Sequence, residues 1–243
     1  MSMYKNIKKI TLIVFVIGFF VNANAQLMRP FVSGGFTLSQ IDGDEVYGFK
    51  QTGLTTGIGL LLPFNTDKPN DGFVLSAEIL FSQRGAKNTN KYPFKYNCKL
   101  GYIDIPFIIN YMDSRANAGI GVGVQYSRLI KTNERWTLLD TMIGGMDRPV
   151  DISNHSFKKN DFSIVADFRF RIWQGFKFDV RWQYSLVPIR EDFEFFNSYG
   201  EGDLSRRTWL RDFKSNCVTF KIIYVINEPK ENKYIGKKRK TAY

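Results

Sequence analysis

YIDIPFIINYMDSRANAGIGVGVQYS, from Tyr102 to Ser127, states a period of two twice over. In its first arm Ile103, Ile105, Phe107, Ile109 and Tyr111 fall on one face and Tyr102, Asp104, Pro106, Ile108 and Asn110 on the other. The second arm sets Ala118, Ile120, Val122, Val124 and Tyr126 against Asn117, Gly119, Gly121, Gly123, Gln125 and Ser127. Strict alternation of this kind predicts strands. The short polar segment from Asp113 to Arg115 between the arms predicts an antiparallel hairpin.

The pattern recurs outward in both directions. Strands are predicted over Pro30 to Gln40, Lys50 to Phe64, Phe73 to Arg84, Phe162 to Ile172, Phe176 to Leu186 and Phe213 to Ile226, making eight with the central hairpin and no helix in the mature chain. A chain of 243 residues suits one all-β domain, and the 22 Phe residues recur at alternate positions within these runs. Tight turns at Asn65 to Gly72, Asp113 to Arg115 and Gln174-Gly175 alternate with longer links at Asp42 to Phe49, Gly85 to Cys98, Lys131 to Asn160 and Arg190 to Asp212. That asymmetry predicts an up-and-down barrel whose long links share one end, as in transmembrane barrels of the outer membrane.

The two faces have different chemistry. One parity carries no Asp, Glu, Lys or Arg through the middle of any strand, and the other carries Glu78, Asp104, Asp167, Arg169, Arg171, Lys177, Asp179, Arg181 and Lys221. Such exclusion is what a lipid-facing wall requires, since a basic residue there costs about 2–4 kcal/mol at the midplane. The ionic parity then faces the lumen. Glu78, Asp104, Asp167, Arg169, Arg171, Asp179, Arg181 and Lys221 are expected to form a salt-bridge network, with Glu78 and Asp104 beside Arg169 or Arg181. An eight-stranded lumen is filled by its own side chains, so no open pore is expected. The inward glycines Gly57, Gly59, Gly119, Gly121 and Gly123 are read either as room for the long cations or as points of strand bending.

The ends read differently from the body. Lys5, Lys8 and Lys9 precede an apolar run from Ile10 to Val21 and then Ala23-Asn24-Ala25, which predicts a signal peptide over residues 1–25, cleaved after Ala25. The barrel is expected over 26–226 and a basic periplasmic tail over 227–243. The signal and the tail from Glu228 hold seven of the eleven net positive charges, so the body is no nucleic-acid binder by charge. The tail reads as a solvated chain end, with contact to anionic head groups or an acidic partner as the alternative. Cys98 and Cys217 start strands that lie far apart around the sheet, so a disulfide between them is not expected.

Several segments resemble the PorT-like outer-membrane β-barrel domain proteins of Gram-negative bacteria. Gly35 with Ser39 to Asp44 and Lys50 to Leu54 resembles that family's opening strand, loop and second strand. Glu78 to Lys87 is similar to its third-strand motif, and Tyr102 to Pro106 followed by Phe107 to Tyr111 to its fourth, with Asp104 where Glu is commoner. Gly119 to Tyr126 fits the next strand without the Pro often found early in it. The resemblance implies an eight-stranded outer-membrane barrel. One namesake of that family serves a protein-secretion apparatus, and most members have no assigned task.

Three functions compete. The first is a non-enzymatic scaffold contacting lipid and an envelope protein partner through its loops or tail, with Phe193, Phe195, Phe196, Tyr199, Arg206, Arg207 and Trp209 as candidate contacts or as an outer aromatic girdle. The second is a soluble, lipocalin-like carrier in the periplasm. The third is an outer-membrane enzyme; the only histidine, His155, lies near Asp151, Ser153 and Ser156, but proximity in a loop does not make a triad, and it reads as a surface histidine. No metal-ligand cluster, phosphate loop or Cys-x-x-Cys is present, so no cofactor is expected. Oligomeric state is left open.

Overall fold

The computed structural model describes residues 28–44, 48–65, 70–88, 94–139, 147–149, 156–195, 209–226 and 228. The strands are β1 (Arg29–Asp42), β2 (Gln51–Pro63), β3 (Gly72–Asn88), β4 (Phe94–Asp113), β5 (Ala118–Leu139), β6 (Asp147–Pro149), β7 (Asn160–Trp173), β8 (Phe176–Ser185), β9 (Arg190–Phe195) and β10 (Trp209–Val225). Eight of them run antiparallel in the order β1-β2-β3-β4-β5-β7-β8-β10, and β10 returns to β1, from Phe31 against Val225 to Asp42 against Lys214. The ring is therefore closed, which pairs every wall strand on both sides. β6 and β9 are short additions to β5 and β10 at the long-link end.

The wall sorts its residues as the alternation demands. Phe168 and Ile120 are 46% and 65% exposed, whereas Arg169 and Arg181, next to outward positions on their own strands, are 1% and 2% exposed. The exposed large side chains form an apolar belt that includes Leu54, Ile58, Ile79, Phe107, Val122 and Ile222. Aromatic rings mark its edges. Phe73 with Tyr111 and Phe176 with Tyr224 lie at the tight-turn end, and Tyr126 with Phe162 and Trp182 with Tyr184 toward the other.

Three links expected to be irregular begin or end as strand. β3 and β4 stay paired out to Asn88 and Tyr96, β5 continues to Leu139, and β9 with the start of β10 occupies part of Arg190 to Asp212. A bilayer needs only about 9–11 residues per tilted strand, so much of the 20-residue β4 and the 22-residue β5 stands outside the hydrocarbon. There the outward face meets water and its apolar period lapses, and on β5 Lys131, Thr132 and Asn133 are all exposed in succession.

Candidate functional site

The interior is stacked in layers from one mouth to the other. At the tight-turn end Phe31, Leu61, Val74, Met112, Ile223 and Val225 pack into a buried apolar plug. At the long-link end a second plug contains Ile41, Ala86, Tyr96, Cys98, Leu100, Tyr102, Phe157, Ile189 and Phe213. Two ionic layers lie between these plugs, and further buried charges, among them Lys177 and Arg190, lie at the two mouths.

The central layer holds three acids and three bases. Glu78 meets Arg181 and Lys221, each at 2.6 Å, and Arg169 at 3.8 Å. Asp167 meets Arg169 and Arg181, each at 2.8 Å. Asp179 meets Lys221 at 3.1 Å, Arg169 at 3.2 Å and Arg181 at 3.7 Å. Register builds this layer directly, because Asp167 lies opposite Arg181, Arg169 opposite Asp179, and Asp179 opposite Lys221 on adjacent strands. Only Glu78 crosses the lumen, from β3. The layer is formally neutral, the condition under which buried charge is tolerated.

Asp104 does not join that layer, contrary to the expected partner set. It lies opposite Leu80, two residues nearer the long-link end than Glu78, and so meets Arg84 at 2.5 Å instead of Arg169 or Arg181. Arg84 also reaches Asp161 at 3.4 Å, donates to Ser127 Oγ at 2.9 Å, and lies 4.2 Å from the centre of the Tyr102 ring. Ser82 donates to Asp104 at 2.5 Å, and Ser163 and Ser185 donate to Asp161 at 3.2 and 3.0 Å. One arginine thus serves two buried carboxylates, and Asp161 Oδ1 has no hydrogen-bond partner. Arg84 was legible on the inward parity; Asp161 was not, because it precedes the first apolar residue of its strand.

This upper layer gathers the segments that carry the family resemblance. Ser39 Oγ accepts from the Gly85 amide at 2.8 Å and donates to the Gln51 carbonyl at 3.3 Å, tying β1, β2 and β3 beside the Arg84 cluster. Any Cβ at Gly85 would fall 1.9 Å from the Cys98 carbonyl oxygen, so the strand crossing there requires glycine. The shared motif residues therefore hold the wall together.

Arg171 also departs from the expected network. At the tight-turn mouth it lies 3.7 Å from Glu228, which meets Lys177 at 3.0 Å and accepts from the Gly175 amide at 2.6 Å. Glu228, expected in a solvated tail, thus has its side chain only 2% exposed. Burial works against its charge, yet Lys177 and the Gly175 amide hold its carboxyl below the usual range. The glycine expectation changes as well. A Cβ at Gly59 would meet the Phe31 ring at 2.4 Å and one at Gly121 the Asn110 Oδ1 at 2.3 Å, so those positions make room for plug and polar residues, not for long cations.

At the opposite mouth Arg190 pairs with Glu134 at 2.5 Å and lies 3.7 Å from the centre of the Phe157 ring. Cys98 and Cys217 are both free and buried. Among the described residues no group of three His, Cys, Asp or Glu is placed to hold a metal ion. His155, Phe196, Tyr199, Arg206, Arg207 and residues 1–27 and 229–243 lie outside the described residues, as do the side chains of Phe193, Phe195 and Trp209, whose backbones pair β9 with β10.

An apolar exterior around an ionic interior is the inverse of a soluble carrier. The sequence profile of the outer membrane protein beta-barrel domain family matches residues 11–209. The chain belongs to that family. The family places it in the outer membrane, and with the lumen occupied by charge the reading as a soluble periplasmic carrier of apolar cargo falls. No curated protein matches the sequence. Among solved structures the chain is similar to neisserial surface protein A, with 12% identity over 80% of this chain and 96% of that one and a TM-score of 0.43. It is similar to Ail, the attachment invasion locus protein of Yersinia pestis, in complex with the heparin analogue sucrose octasulfate, with 12% identity, coverage of 82% and 99%, and a TM-score of 0.43. It is also similar to OprG from Pseudomonas aeruginosa, with 10% identity, coverage of 83% and 96%, and a TM-score of 0.38.

Proposed function

We propose that the protein is a closed, non-conducting and non-enzymatic barrel of the PorT-like kind, a rigid outer-membrane frame that presents its long links and its C-terminal tail to an envelope protein partner. The observation that carries this reading is the filled lumen. Two apolar plugs enclose the charged layers, and the cavity between the Arg84 and Lys221 groups is only about 10 Å³, room for one water. A wall that transmits nothing leaves its ends to do the work.

The segments from Gly35 to Ser127 that resemble PorT-like proteins support a link to protein secretion. Processing after Ala25 would leave Gln26 as the mature N-terminus and the tail in the periplasm. Two measurements test the proposal. Purified protein in planar bilayers should give no conductance steps, and a strain lacking the protein should lose secreted proteins from its medium. Regular ohmic steps would overturn the closed frame, and an unchanged medium would remove the secretion link.

A further inference from the structure

Above the apolar belt, the outward face of β3, β4 and β5 changes abruptly from hydrocarbon to positive charge. Below the change its outward residues are apolar: Phe81, Ile79, Ile103, Phe107, Val122 and Val124. Above it stand Arg128, Lys131 and Arg135 on β5, Lys99 on β4 and Lys87 on β3, the first four exposed and Lys87 half-exposed. Register makes them neighbours. Arg128 lies opposite Ile103, Lys131 opposite Gly101, Lys99 opposite Asn133, Arg135 opposite Asn97, and Asn97 opposite Lys87. With strands about 4.8 Å apart and same-face residues about 7 Å apart along each strand, the cations cover a compact area.

No acid shares this face among the described residues. Glu134, between two outward positions of β5, turns inward to Arg190, and Asp104 and Glu78 are committed to the lumen. None of the five cations has an ion-pair partner among the described residues, whereas the exposed Lys158 is paired with Glu191. Elsewhere the rim is mixed, with Asp42 on β1 and Asp212 beside Lys214 on β10. Arg128 is held against the wall by Asn160, which also accepts from Tyr126 in the aromatic girdle at 3.0 Å. The basic area is therefore one-sided and continuous with the lipid-facing wall.

We propose that this face is a binding site for a phosphate-bearing glycolipid of the outer leaflet, its acyl chains along the belt and its phosphates on Lys99, Lys131 and Arg135. An occupant whose own structure passes from hydrocarbon to anion at one level matches the face, and a soluble polyanion matches only its upper half. The proposal takes from the preceding section only that the tail lies in the periplasm, which sets the long links, at the opposite mouth of the ring, on the outer side. The partner and secretion readings can fail without affecting it.

The test uses the full chain folded in neutral detergent, with bisphosphorylated lipid A, its dephosphorylated form and heparin as probes, and binding read by native mass spectrometry. Each basic residue near an anionic surface contributes about fivefold, so K99Q/K131Q/R135Q should weaken bisphosphorylated lipid A binding by roughly 100-fold. A control, K158Q/K214Q, should change it less than about twofold. Heat-modifiable gel mobility reports whether each variant is folded; should the triple variant fail, K99Q and K131Q singly should each cost about fivefold. Equal binding of the two lipids, or no loss in these variants, overturns the site. Tighter binding of heparin than of bisphosphorylated lipid A overturns it in favour of a soluble polyanion.

Discussion

Removing Glu78 should unbalance the whole central layer. Its carboxylate is shared by Arg181 and Lys221 at 2.6 Å each, and the six charges of the layer sum to zero. Glu78→Gln keeps the volume and leaves three buried cations on two carboxylates, which should cost about 3–5 kcal/mol, the usual penalty for breaking a buried pair from one side. Lys221→Met inverts the imbalance and should cost a similar amount. The double variant restores neutrality, so its cost should fall short of the sum by at least about 2 kcal/mol, the size of coupling found within a shared network. Urea unfolding of protein folded into phospholipid vesicles, followed by tryptophan fluorescence, measures all four members of the cycle. Additivity of the two single costs would refute the reasoning, because it would mean that each charge is solvated independently of the others.

Placing charge on the belt tests the other face: Val122→Arg should destabilise the vesicle-inserted protein by about 2–4 kcal/mol in the same unfolding assay. In the upper layer, Asp104→Asn should cost about 3 kcal/mol because it strips Arg84 of its 2.5 Å partner. Asp161→Asn removes the excess carboxylate and should stay within about 1 kcal/mol of the parent, as equilibrium urea titration would show. Glu228 has a lowered pKa in the folded state, so its latch contributes fully above the ordinary Glu value of about 4.3 and is lost as pH falls through the lower folded value. The protection factor of the Gly175 amide against hydrogen exchange, taken relative to the intrinsic rate at each pH, should therefore be high at neutral pH, fall as the pH drops below the ordinary Glu value, and be low throughout in Glu228→Gln.

The barrel was legible because a lipid-facing wall punishes exceptions, and the alternation from Phe162 to Ile172 or Phe176 to Leu186 has none. The same logic fails where the chain leaves the bilayer. Past Arg128 nothing forces outward residues to be apolar, so the continuation of β5 to Leu139 left no period to find. Parity assigned residues to the lumen but not to levels within it. Level depends on stagger between strands, which is why Asp104 meets Arg84 and Arg171 meets Glu228 instead of the central cluster. Glu228 was hidden for a different reason: a single acid after the last strand carries no pattern, and its role appears only once Lys177 and Gly175 are brought to the same mouth. The basic face was equally hidden, since Lys87, Lys99 and Lys131 are far apart in the chain and meet only through register.

The central claim is that the apolar parity faces lipid and the ionic parity faces the lumen, and spin-label scanning along β7 tests it most directly. In a chain with Cys98 and Cys217 replaced, single labels at 163, 164, 165, 166, 168 and 170 in vesicles should show oxygen collision rates oscillating with period two. Maxima are predicted at Ile164, Ala166, Phe168 and Phe170 and minima at Ser163 and Val165. An oscillation of opposite phase, or none, would contradict the account.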